Sequence, residues 1–202
     1  MQATSIIVIL LFVYTIFSGA SQEIAPRQSV LENFLTREAF IAPVGFYESA
    51  NEQNVQAIRS FIRNNSKKVS DEESEQIFNS IINYCEKYDV NPMIVAALIY
   101  RESGFDPMSQ SSSNAQGLGQ LLPSTAQSIG ITDPFDIDEG VKGCVMYFKM
   151  MLDKWIGYPN RIELALASYA EGPNQVVKNN GNYSDKTAKY ISDIYKIYKS
   201  IK

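Results

Sequence analysis

The stretch Asn91-Pro92-Met93-Ile94-Val95-Ala96-Ala97-Leu98-Ile99-Tyr100-Arg101-Glu102-Ser103-Gly104 decides the fold. Asn91 can cap the backbone N–H groups that a helix start leaves open, and Pro92 suits the first helical position because it has no N–H to lose. Gly104 favours the left-handed conformation that ends a helix, and Pro107 cannot continue one. A helix is predicted from Asn91 to Gly104. At about 100° per residue, Val95 lies about 20° from Glu102, Leu98 about 40°, Ile99 about 60° and Ile94 about 80°. A carboxylate therefore stands in the middle of an apolar stripe. Desolvation there destabilises the anion and raises the carboxyl pKa, and the negative end of the helix dipole acts in the same direction. A carboxyl that keeps its proton near neutrality is what a general acid requires. The same position suits a Glu that ends the stripe by reaching water or a lysine, so this helix alone leaves two readings.

Outward from that helix, the punctuation stays helical. Ser70 with Glu73 forms a capping box, and Ile77, Ile81, Tyr84 and Tyr88 recur along one face of a helix ending near Tyr88. Asp136 and Glu139 repeat the capping pattern before a long helix to about Trp155. Ile162 to Glu171 form another helix, stopped by Gly172-Pro173, and a last one begins near Ser184 and carries Tyr190, Ile191, Ile194 and Tyr195. Ser109 to Gly119 is loop by its Ser, Asn, Gln and Gly content. Upstream, Val55, Ile58, Phe61 and Ile62 mark a short amphipathic helix before the polar connector Asn64 to Lys68. No strand-like alternation occurs after Ser70, so the expected class is all-α, with residues 70–202 as the main domain and 21–69 as a partly helical or irregular extension.

The chain has 202 residues, 45% of them hydrophobic and 20% charged, enough apolar content for a real core. Lys plus Arg number 18 against 22 for Asp plus Glu, a net charge of −4 without a basic run, which argues against nucleic acid as partner. There is no His. That removes Ser-His and Cys-His catalytic pairs and the commonest metal ligand, and the two cysteines are too few for a zinc site, so neither metal nor cofactor is expected. Cys85 and Cys144 fall on separate predicted helices and read either as a disulfide or as two small buried hydrophobes. Ile6 to Phe17 is an apolar run too short for a comfortable membrane span and is followed by Ser18-Gly19-Ala20. Residues 1–20 are therefore expected to be a signal peptide for export to the periplasm or cell envelope. No Lys or Arg precedes the run, which leaves a retained N-terminal anchor as the alternative and the only expected membrane contact.

Downstream of Glu102 a set of short motifs follows in order. These are Glu102-Ser103-Gly104-Phe105-Asp106-Pro107, Ser111, Ala115-Gln116-Gly117-Leu118-Gly119-Gln120-Leu121, Asp136-Ile137-Asp138-Glu139-Gly140, Ser168-Tyr169-Ala170-Glu171-Gly172-Pro173, and Thr187 with Tyr190. Together they resemble the soluble lytic transglycosylase family over roughly Ile77 to Tyr198. The resemblance implies a lysozyme-like α fold with a glycan groove. It also implies cleavage of the β-1,4 bond between N-acetylmuramic acid and N-acetylglucosamine in peptidoglycan, with Glu102 as the single acid/base. Ser111 and Tyr190 match positions that orient that carboxyl. Ser103, Gly117, Leu118, Gln120 and Tyr169 match substrate-side positions. Three departures stand out: Asn114 where the family has Gly, Gly119 in place of a substrate-facing Met, and Ala170 in place of Asn. Asn114 is expected to tolerate a left-handed backbone. Asp106 reads as a turn cap, Trp155 as a core residue, and the lysines of the last helix as a solvated face.

Most glycosidases need two carboxyls, and no second one with an equal claim is found among these motifs. One suffices when the attacking oxygen belongs to the substrate, which gives a 1,6-anhydro sugar. Water as nucleophile would make a lysozyme-type hydrolase, and loss of catalysis a glycan-binding module.

Overall fold

A computed structural model describes residues 42–202. The expected signal segment 1–20 and the extension as far as residue 41 lie outside the described residues. The described residues form α-helices joined by turns and loops: α1 (Phe46–Ser49), α2 (Glu52–Asn65), α3 (Asp71–Tyr88), α4 (Pro92–Ser103), α5 (Pro123–Ser128), α6 (Ile137–Lys154), α7 (Arg161–Glu171), α8 (Pro173–Lys178) and α9 (Asp185–Ser200). The all-α class is as expected. Helices α5 and α8 were not anticipated; each begins on a proline, Pro123 and Pro173, and is only six residues long.

Local chemistry sets the helix starts. Asn51, Ser70, Asn91, Asp136 and Ser184 each accept a backbone N–H with the side chain, and at Ser70 the reciprocal bond from Ser70 N–H to Glu73 completes the box. The pattern at Asp136 is only half of that box. Glu139 turns away and accepts Thr132 N–H at 2.7 Å, Asp133 N–H at 2.8 Å and the Thr132 hydroxyl, which fixes the loop before α6 instead.

Helix α4 is the centre of the molecule. Every residue from Pro92 to Ile99 is buried, so the predicted stripe is in fact an all-round apolar surface, as expected of a helix enclosed by others. α3 packs on α6, α6 on α7, and α9 on both α4 and α7. Ala57, Ile58 and Ile62 of α2 join this same core. Asn91 also holds the chain before α1, donating from Nδ2 to Pro43 O at 2.7 Å while its N–H reaches Val44 O at 2.8 Å. The described part of the extension is thus packed into the helical body. Trp155 is a core residue, 4% exposed, donating from Nε1 to Ser168 Oγ at 2.8 Å. Cys85 and Cys144 are buried free thiols, the second of the two readings left open.

Candidate active site

Glu102 lies on the last turn of α4, where the buried helix emerges, and the left-handed Gly104 (φ 63°) ends the helix directly behind it. Arg101 and Ser103 flank it, and α9 packs along α4, from Tyr190 beside Glu102 to Tyr198 beside Asn91. The Tyr190 hydroxyl donates to Glu102 Oε1. Burial raises the Glu102 pKa above the ordinary value, while the Tyr190 hydrogen bond and the Arg101 charge oppose that rise. Burial also carries the Tyr190 phenol well above its usual range, helped by the nearby Glu102 charge, so Tyr190 remains a neutral donor throughout the physiological range. This arrangement favours the protonated carboxyl more than water would and presents it at the end of a helix.

The loop between α4 and α5 is built against this end by close backbone contacts. Gln116 and Leu121 exchange both backbone bonds across its neck, at 2.9 and 3.1 Å. Gln120 donates from Nε2 to Ser109 O and Gly117 O, both at 3.0 Å, so its amide ties the loop together. Gly117 has φ +70°, and a Cβ there would stand 1.8 Å from Pro134 O. Asn114 does adopt a left-handed backbone, φ 64°. Tyr169 donates to Gly119 O at 2.7 Å and lies 3.5 Å from Cys144 Sγ, pinning the loop to α6 and α7.

Several expected contacts fall differently. Leu118 does not line a groove with its side chain, which is fully buried in the core. Ser111 is exposed and accepts Ala115 N–H at 3.0 Å in its own turn, while the bond on Glu102 comes from Tyr190. Ser103 donates back to Ile99 O at 3.1 Å, the usual use of a helical serine hydroxyl. Gly119 is not an emptied substrate-facing position: a Cβ there would lie 2.8 Å from Cys144 Cβ and 3.0 Å from the Tyr169 hydroxyl. Asp106 caps a turn through Met108 N–H at 3.0 Å and also pairs with Lys68 at 2.7 Å. Sequence reasoning missed Arg101, whose guanidinium lies 5.3 Å from the centre of the Tyr190 ring and whose Nε is 3.7 Å from Asp193. The four-residue Tyr190-to-Asp193 span on a helix was the available signal, because it places a phenol and a carboxylate on one face.

An α-helical body that holds one partly buried carboxyl against a phenol hydroxyl has the groups that general acid–base chemistry needs. Residues 79–192, more than half of the chain, match the family model described as the transglycosylase SLT domain. The chain belongs to that family. It is 31% identical over 110 residues to the transglycosylase of Enterobacteria phage PRD1, covering 54% of this chain and 38% of that one. It is 35% identical over 105 residues to membrane-bound lytic murein transglycosylase F of Desulfosudis oleivorans, covering 48% and 23% respectively. These relatives are longer, and the chain spans less than two fifths of each. The 70 kDa soluble lytic transglycosylase of Escherichia coli superimposes with a TM-score of 0.48 at 16% identity, over 76% of this chain and 29% of that one.

Proposed function

We propose that this chain cleaves the β-1,4 bond between N-acetylmuramic acid and N-acetylglucosamine in peptidoglycan by intramolecular transglycosylation. The observation that carries the reading is the placement of Glu102, its carboxyl buried at the end of α4, where burial favours the protonated form, and held by the Tyr190 hydroxyl. Glu102 passes its proton to the glycosidic oxygen as the bond from that oxygen to the muramoyl C1 breaks. The substrate's own N-acetyl group shares the positive charge at C1. The Glu102 carboxylate then takes the proton of the muramoyl C6 hydroxyl, and that oxygen closes on C1 to give a 1,6-anhydro end. Glu102 finishes the cycle protonated, and no water is consumed. Tyr190 is a positioning residue, while Gln120 and Tyr169 hold the loop beside the acid.

In this reading residues 70–202 form the catalytic unit, and residues 1–20 deliver it to the cell envelope, where relatives named membrane-bound lytic murein transglycosylases support the location. Among the described residues no helix is long and apolar enough to cross a membrane. Mass spectrometry of the fragments released from purified sacculi tests the reaction. Anhydromuramoyl ends are expected. Reducing ends would make the chain a hydrolase, and sedimentation with sacculi without release would make it a binding module.

A further inference from the structure

The family match begins at residue 79, so α1, α2 and the connector to α3 lie upstream of it, and the reaction above gives them no role. They nevertheless meet the helix that carries Glu102 at both of its ends. At the start of α4, Asn91 donates its N–H to Val44 O and its Nδ2 to Pro43 O, while its Oδ1 accepts Met93 N–H at 2.9 Å. Beside this point Asp89 accepts Phe46 N–H at 2.8 Å and fastens α1 to the end of α3.

At the exit of α4 the chain turns through two successive left-handed residues, Gly104 (φ 63°) and Phe105 (φ 62°). Glycine adopts that conformation freely, whereas a bulky residue keeps it only where its surroundings hold it. Phe105 is fully buried, and Phe61 of α2 supplies part of those surroundings. The Phe61 and Phe105 ring centres lie 6.0 Å apart, edge to face, and Phe61 also meets Tyr100 of α4 at 5.2 Å. Asp106 closes the turn by donating its N–H to Ser103 O at 3.2 Å, and its carboxylate, 13% exposed, accepts Lys68 Nζ at 2.7 Å. Lys68 belongs to the connector after α2. Arg59 fixes α2 in turn to α3, its guanidinium 4.4 Å from the Phe78 ring centre and 3.1 Å from Glu75. We infer that residues 43–68 form a clasp on α4 in which Phe61 and Lys68 are positioning residues for Glu102, holding the turn Gly104-Phe105-Asp106 that fixes the last helical turn and shields the carboxyl from water. The inference rests on the acid–base role proposed for Glu102 and extends the working unit upstream of residue 70.

The test compares the full chain with Lys68→Met, Lys68→Arg and Phe61→Leu, by steady-state cleavage of soluble glycan strands and by carbon-13 titration of the Glu102 carboxyl. Lys68 is 71% exposed, and a pair of this kind adds little to global stability, so Lys68→Met should melt close to the parent chain. Its kcat should nevertheless fall about fivefold with KM nearly unchanged, because a displaced reacting group is felt in turnover. Its Glu102 inflection should move down toward the ordinary carboxyl range as water reaches the loosened turn. Direct loss of a positive charge would move the inflection up, so the sign separates the clasp from an electrostatic effect. The groups that face Glu102 are Arg101 of α4, Tyr190 of α9, Cys144 of α6 and Tyr169 of α7, and all four remain in these variants. Phe61→Leu should move kcat and inflection in the same directions, and Lys68→Arg should restore both. An unchanged kcat or inflection in Lys68→Met and Phe61→Leu, an upward inflection, or a loss that Lys68→Arg does not restore would overturn the clasp. A parent chain that releases no fragments counts against the proposed reaction alone, since the titration reads the clasp without turnover.

Discussion

Glu102→Gln keeps the side-chain shape but removes the transferable proton. General acid–base catalysis is worth about 10²–10⁴-fold, so release of soluble fragments should fall at least about a hundredfold while the helical circular dichroism is unchanged. The same change should stabilise the fold at neutral pH. Burial raises the folded-state pKa of Glu102, so the wild-type chain loses stability as pH climbs from the ordinary carboxyl range through that raised value. The Gln variant escapes that loss. Its melting temperature should match wild type at low pH and exceed it at neutral pH, and a deficit at neutral pH would contradict the burial argument. Tyr190→Phe acts on the same proton with the opposite sign. Its hydroxyl lowers the Glu102 pKa by bonding the anion, so its loss should move the alkaline limb of the pH–activity profile upward. Arg101 from α4 also faces this carboxyl, and Cys144 of α6 and Tyr169 of α7 feel its charge; all three remain in that variant.

The loop between α4 and α5 is fixed by approaches that only glycine permits. Gly119→Ala would press a methyl against Cys144 Cβ and the Tyr169 hydroxyl, and overpacking of this sort costs about 1–3 kcal/mol. Adding Cys144→Gly removes the carbon that is struck. Urea denaturation should therefore find the double variant less destabilised than the sum of the two single changes, whereas strict additivity would mean the methyl is accommodated elsewhere. Gly117→Ala should be worse, since its methyl meets a backbone carbonyl at 1.8 Å on a left-handed residue. These constraints explain which elements were legible in the sequence. Caps at Ser70, Asn91 and Asp136 are local exchanges between neighbours, and they were readable directly. The direction of Gly119, the burial of Leu118 and the engagement of Glu139 by Thr132 depend on which segments meet across the fold, and residue types along the chain do not encode that locally.

Helices α2, α3, α4, α6, α7 and α9 share one core, so unfolding of the full chain should be cooperative. Trp155 is the only tryptophan and sits in that core, which makes its fluorescence a probe of the same transition that circular dichroism follows. Coincident midpoints are expected, and separated ones would mean that α2 or the site loop melts alone. Asp138 ties α6 to α3 by accepting Ser80 Oγ at 2.8 Å and the Tyr84 hydroxyl at 2.5 Å. Asp138→Ala should cost about 1–2 kcal/mol in urea denaturation. At this scale the all-α class was plain from helix punctuation, but the meeting of Glu102 with Tyr190, 88 residues later, was legible only through resemblance to a family. The measurement that bears most directly on the whole is a carbon-13 NMR titration of the Glu102 side-chain carboxyl. An inflection displaced above the ordinary glutamate range, and displaced further in Tyr190→Phe, is expected; an ordinary inflection, indifferent to Tyr190, would contradict a proton held in reserve for the glycosidic oxygen.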